Sequence, residues 1–131
     1  MKAHVMSKGA GAVFVSPLDV VLSPRRVVQP DVIYVSNKNQ AIIQDRIRGV
    51  PDLVVEVISE GTRHRDRIDK KALYEQARLQ EYWMVDTETR RIEVFVINRG
   101  AYQLFARAAG EKKAPSKLLP GFALSYDELE V

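Results

Sequence analysis

The period of apolar and polar positions changes twice along this chain, from strand-like to helical and back. Short apolar runs at 12–15 (Ala-Val-Phe-Val) and 18–22 (Leu-Asp-Val-Val-Leu), split by Ser16-Pro17, predict two strands. A third, Asp-Val-Ile-Tyr-Val at 31–35, follows Pro30, and 36–40 then reads as a loop. The run Leu-Val-Val-Glu-Val-Ile at 53–58 is apolar at positions of both faces, the mark of a central strand covered on both sides. It starts after Pro51-Asp52 and ends at Ser59-Glu60-Gly61-Thr62, where Thr62 can cap a helix. From 63 to 79 the spacing is helical, with Ile68, Ala72, Leu73, Gln76, Ala77 and Leu79 along an apolar side. Strand-like runs return at 82–85, 92–97 and 102–106, separated by turn signals at 86–90 and at Asn98-Arg99-Gly100. After Pro120-Gly121 comes a short helical candidate at 125–129, where Ser125 and Glu128 have capping-box spacing. Strands on both sides of one long helix predict an α/β (α+β) fold, a mixed β-sheet with helical cover. No linker interrupts it, so residues 1–131 read as one domain.

Composition narrows the chemistry. The 131 residues are 46% hydrophobic and 28% charged, as in a soluble globular protein. Without cysteine there is no disulfide, thiolate metal site or Cys nucleophile, which fits a reducing cytoplasm. His4 and His64 are the only histidines, so a His-rich metal site is excluded. No apolar run approaches the ~20 residues of a membrane span, and the first residues lack an apolar core of signal-peptide length. What remains is chemistry on carboxylates and lysines.

Among the carboxylates, Glu56 is anomalous: every other side chain of its run is apolar. A carboxylate in a covered strand is costly unless paired, protonated or bound to a cation. The plain alternative is a place near the sheet edge, facing water or an arginine. Two Pro-Asp pairs offer a second acid. Asp52 and Glu56 are four residues apart on one strand, ~13 Å at ~3.3 Å per residue, too far to share an ion bound at ~2.1 Å per bond. Asp31, on another strand, can lie beside Glu56; Asp52 reads as a turn residue. In the helical stretch, Asp66, Lys70 and Tyr74 share a face, and the strand-to-helix turn can bring Lys70 back to the carboxylates. A lysine there could orient a water and stabilise charge on a phosphate; its alternative is a solvated pair with Asp66, and Lys71 is its competitor. Between 61 and 71, Arg63, Arg65, Arg67, Lys70 and Lys71 outnumber Asp66 and Asp69 by three, numerically the net charge of +3. Positive charge clustered there suits a polyanionic backbone, although a solvated helix start would look similar.

The residues Gln29-Pro30-Asp31-Val-Ile-Tyr-Val, Pro51-Asp52-Leu-Val-Val-Glu56-Val-Ile-Ser59, Arg65-Asp66 with Lys70 and Tyr74, and Glu81-Tyr82-Trp83-Met-Val-Asp86, in this order and spacing, resemble the Uma-two family of restriction endonucleases. The likeness runs from about Gly11 to the end. It implies the restriction-endonuclease-like fold of the PD-(D/E)XK nuclease superfamily, a mixed β-sheet flanked by helices. It also implies a Mg²⁺- or Mn²⁺-dependent endonuclease acting on DNA. Asp31 and Glu56 would be the motif acids, and the Val57 carbonyl a further metal ligand. The motif lysine, expected two residues after the acid, would fall on Ile58; in this family its role moves to the helix, and alignment from Tyr74 backward selects Lys70. Arg63, Arg65 and Arg67 would hold the nucleic-acid backbone. Ser59 and Tyr82-Trp83 match family positions but read as structural.

Two departures accompany the resemblance. Family members carry a longer N-terminal region, with a helix that contributes an acidic residue and a histidine further on. By this resemblance the chain begins at or after that region, so the expectation is that the family's N-terminal helix and a further metal ligand are missing, that one sheet face is less covered, and that self-association as a homodimer or instability follows. The glycine that ends the family's long helix is Arg78 here; a left-handed cap at that position costs on the order of 1 kcal/mol. Two activities follow as expectations: metal-dependent DNA hydrolysis, or a catalytically inactive nuclease-fold module for nucleic-acid binding or dimerisation. A purely structural domain, its acids satisfied by arginines, is a third.

Overall fold

The computed structural model describes residues 11–58 and 64–129, apart from the side chains of 64–67. Eleven strands are present among them: β1 (Gly11–Val15), β2 (Val20–Ser23), β3 (Arg26–Val28), β4 (Val32–Ser36), β5 (Ile47–Arg48), β6 (Leu53–Ile58), β7 (Glu81–Asp86), β8 (Arg91–Asn98), β9 (Ala101–Ala109), β10 (Lys113–Pro115) and β11 (Ala123–Ser125). One α-helix, α1 (His64–Gln76), joins β6 to β7. The main sheet has the order β1-β4-β6-β7-β8-β9, and only β6 and β7 pair in parallel within it. A parallel pair needs a crossover, which α1 supplies. The predicted mixed sheet with helical cover is therefore the observed one. Among the described residues no helix is long and apolar enough to cross a membrane.

Strand periodicity sorts the core into two layers. Ile33, Val54, Ile58, Tyr82 and Met84 face α1 and pack with Tyr74 and Leu79. Tyr34, Val55, Trp83, Val85 and Val94 face the other way, where the C-terminal segment covers them with Ala114, Leu119 and Phe122. Tyr82 and Trp83 thus alternate across the sheet as core aromatics. Beneath the helix side lies a smaller sheet, β3-β2-β5.

The helix ends at Gln76, three residues before the predicted end, in a Schellman motif. Arg78 takes φ 61°, its N–H bonds the Glu75 carbonyl at 3.0 Å, and the Leu79 N–H reaches back to the Tyr74 carbonyl at 3.1 Å. Tyr74 and Leu79 are both fully buried around it. The predicted apolar side needs correction: Ile68 is 54% exposed, and Ala72 and Gln76 are exposed too. The stripe that faces the protein is Lys70, Leu73, Tyr74 and Ala77, spaced i, i+3, i+4, i+7. Residues 36–40, predicted as loop, belong largely to a 3₁₀ turn over Asn37–Ile42. The turn signal at Asn98-Arg99-Gly100 is a two-residue hairpin loop between β8 and β9, with positive φ at Arg99 (55°) and Gly100 (82°), as a type I′ turn requires. At the tail, Ser125 and Glu128 form the predicted capping box, on a 3₁₀ turn.

Candidate active site

β6 and β4 run antiparallel with Val32 opposite Val55 and Ile33 opposite Val54. Continuing that register by one residue sets Asp31 opposite Glu56, both on the face toward α1. The Asp31 N–H still donates to the Val55 carbonyl at 3.1 Å, and its carboxylate caps the next position by accepting the Val57 N–H at 2.7 Å. Because the N–H and C=O of one strand residue point the same way, the Val57 carbonyl also lies on the Asp31 side, past the end of β4.

Glu56 is 6% exposed, with neither an edge position nor an arginine partner among the described residues. Two donors from α1 meet the same oxygen, Oε2: the Tyr74 hydroxyl at 2.7 Å and the Lys70 ammonium at 3.2 Å. Burial raises the pKa of Glu56; Tyr74 and Lys70 pull it back, and the nearby charge of Asp31 raises it again. Burial, together with the adjacent Glu56 charge, also raises the Tyr74 phenol, so that its proton stays in place as a donor. Among the described residues no donor meets Oε1 of Glu56 or Oδ1 of Asp31.

The structure thus brings Asp31, Glu56, Val57 and Lys70 together from three separate segments of the sequence. Lys71 goes elsewhere: its ammonium lies 4.3 Å from the centre of the Phe95 ring. Asp52 is also apart. Its Oδ2 accepts the Ser36 N–H at 2.7 Å and the Asn39 side-chain amide at 3.3 Å, tying the 3₁₀ turn to the start of β6. His4, Ser59 and Arg63, and the side chains of Arg65, Asp66 and Arg67, lie outside the described residues. Two functional neighbours carried no assignment from sequence. Tyr74 stands there on the helix face of Lys70 and fixes the alignment, with no role of its own; the shared face is the signal for its shared target, Glu56. Arg26 lines the cavity beside Glu56 and Lys70, a space of about 630 Å³.

A divalent ion fits this donor set. Two carboxylates lie on opposed strands, the Asp31 charge raises the pKa of Glu56, each keeps an oxygen free of described donors, and a backbone carbonyl lies alongside. Among the described residues no cluster of three or more His, Cys, Asp or Glu side chains could hold a metal. Mg²⁺ does not require one, since it is commonly held by one or two carboxylates and keeps several waters.

A mixed sheet whose one parallel pair is bridged by a crossover helix defines an α+β fold, with the acid pair at the end of β4 and β6. The family model described as "Uma2: Putative restriction endonuclease" matches residues 1–127, so the chain belongs to that family. Its fold is shared by a crystal structure from Anabaena variabilis, described as a putative nuclease belonging to DUF820. The two superpose with a TM-score of 0.74 at 13% identity, over 97% of this chain and 72% of the other. No curated protein matches the chain.

Proposed function

We propose that this chain is a Mg²⁺- or Mn²⁺-dependent endonuclease that hydrolyses phosphodiester bonds of DNA. The observation that carries the reading is the opposition of Asp31 and Glu56 on one sheet face, with the Lys70 ammonium on Glu56. Asp31, Glu56 and the Val57 carbonyl would hold the ion, which when bound supplies Lewis acidity and a nucleophilic water at neutral pH. Tyr74 orients the Glu56 carboxylate by donating to Oε2. Lys70, whose ammonium meets Glu56, would orient an attacking water and face the negative charge developing on phosphate. Arg63, Arg65 and Arg67 would hold the strand that enters. Such a substrate implies a cytoplasmic setting.

The test is plasmid nicking in Mg²⁺ or Mn²⁺ by wild type, Asp31→Ala, Glu56→Ala and Lys70→Ala. Each substitution is expected to lower the rate at least about 100-fold. Equal rates in all four preparations overturn the assignment. Salt-dependent DNA binding with no metal-dependent nicking would point to a nuclease-fold binding module instead.

A further inference from the structure

The site cavity has a wall that the catalytic reading leaves without a role, the β2–β3 hairpin. Period-two alternation on β3 puts Arg26 and Val28 on one face, and both line the cavity that holds Glu56 and Lys70. Val27, between them, is 52% exposed on the opposite side. Arg26 also lines the adjoining cavity formed by Leu22, Val50, Leu73 and Ala77, so its side chain occupies the ridge between two concave surfaces. It is exposed, and among the described residues it makes no hydrogen bond or ion pair. Arg46 pairs with Asp19 at 3.3 Å, Arg48 with Asp45 at 2.8 Å and Arg107 with Glu93 at 2.6 Å; Arg25, Arg78, Arg91 and Arg99 make no ion pair among the described residues either, but none of them lines this cavity.

Among the described residues the Arg26 guanidinium has no partner, and at the mouth of this cavity, deeper in which lie Glu56 and Asp69, it is open to an anion from outside. Its planar fork matches two non-bridging oxygens of a phosphodiester. Lys70 on the opposite wall is already engaged by Glu56, so the two cations have different tasks. Resting on the nuclease reading, we infer that Arg26 is a substrate-binding residue which grips a phosphate next to the scissile one. It holds the strand across the cavity mouth and takes no part in bond breaking.

The test is the affinity of a fluorescent 20-base-pair duplex, measured by anisotropy in EDTA over a series of KCl concentrations. Wild type, Arg26→Ala, Arg26→Lys and Lys117→Ala are compared; Lys117 sits in the loop over the opposite sheet face and removes the same charge. Loss of one phosphate contact should lower the slope of log affinity against log salt by about 0.9 and weaken binding about eight-fold at 0.1 M salt. Arg26→Lys should recover the slope but only part of the affinity, and Lys117→Ala should match wild type. In nicking assays Arg26→Ala should raise KM and leave kcat within about two-fold, with an unchanged melting temperature. If Arg26→Ala binds and cleaves like Lys117→Ala, the assignment of Arg26 is wrong and the nuclease reading stands. If wild type neither binds the duplex at any salt nor nicks plasmid in Mg²⁺ or Mn²⁺, both are wrong.

Discussion

Glu56 is an acid that the fold makes reluctant to ionise, and Tyr74 and Lys70 reduce that reluctance without removing it. The consequence for stability has a definite sign. A carboxyl whose folded pKa is raised binds more protons in the native state than in the unfolded chain just above its ordinary value of 4.5. Its contribution is fully present below that value and is lost as pH rises through the folded pKa. Glu56→Gln removes the titration, and the amide oxygen can still accept from Tyr74. Its unfolding free energy should therefore fall less than that of wild type between pH 4.5 and 8, as read by urea titrations across that range. Tyr74→Phe keeps the ring and deletes the donor. It should cost about 1 kcal/mol and move the acidic limb of the nicking pH profile upward, because Glu56 loses a bond that favoured its charged form. An unmoved limb would mean that Glu56 does not govern the profile.

Single elements show which physics a linear reading captures. β6 was legible because an apolar run on both faces signals a covered strand, and the one acid in it marked the site. β3 and β5 were not, since three and two residues are too few for a period to show and β5 exists through its parallel pairing with β2. The helix was legible in place but not in rotation. Its inward stripe begins with Lys70, so counting apolar residues turned the face toward Ile68; the lysine in an otherwise apolar stripe was itself the site's signature. Arg26 left no trace in sequence, because only the packing of the hairpin against α1 brings it to the cavity. The family's glycine points to Arg78 as the place where a left-handed cap would carry a cost, and Arg78 does adopt that conformation. Arg78→Gly should then stabilise by about 1 kcal/mol in urea denaturation, relief of the left-handed penalty exceeding the entropy gained by the unfolded chain. Glu81 makes the opposite point. It is 1% exposed and accepts from Trp83 Nε1 (2.8 Å), Ser116 Oγ (2.6 Å), Lys117 N (3.0 Å) and Leu118 N (2.9 Å). In sequence Glu81 is one residue of the family motif, just before the strand predicted at 82–85; donors 35 residues away cannot be read locally. Glu81→Ala orphans all four and should cost about 3 kcal/mol or more, with loss of the near-ultraviolet signal of Trp83.

At the scale of the whole molecule, the proposed metal and the stability of the fold are linked. Asp31 precedes β4, Glu56 and Val57 lie in β6, and Lys70 comes from the crossover helix, so their arrangement exists only when sheet and helix are assembled. An ion that binds this arrangement and not the unfolded chain stabilises it by mass action, about 2.7 kcal/mol at a hundred-fold excess over Kd. For a domain of this size the melting temperature should rise by roughly 5–10 °C in Mn²⁺ or Mg²⁺. Asp31→Asn keeps an acceptor for the Val57 N–H, and Glu56→Gln keeps one for Tyr74, so both should fold yet lose the shift. Lys70→Ala should keep it, since removing a cation from beside Glu56 leaves the ligands in place and takes away a competitor for the carboxylate. The shift should shrink as the solution is made acidic, because protons compete for Glu56 at a pKa that burial has raised. A melting temperature equally insensitive to the ions in wild type and in all three variants would take the metal out of the site, leaving Lys70 and Tyr74 as partners that stabilise a buried acid and nothing more.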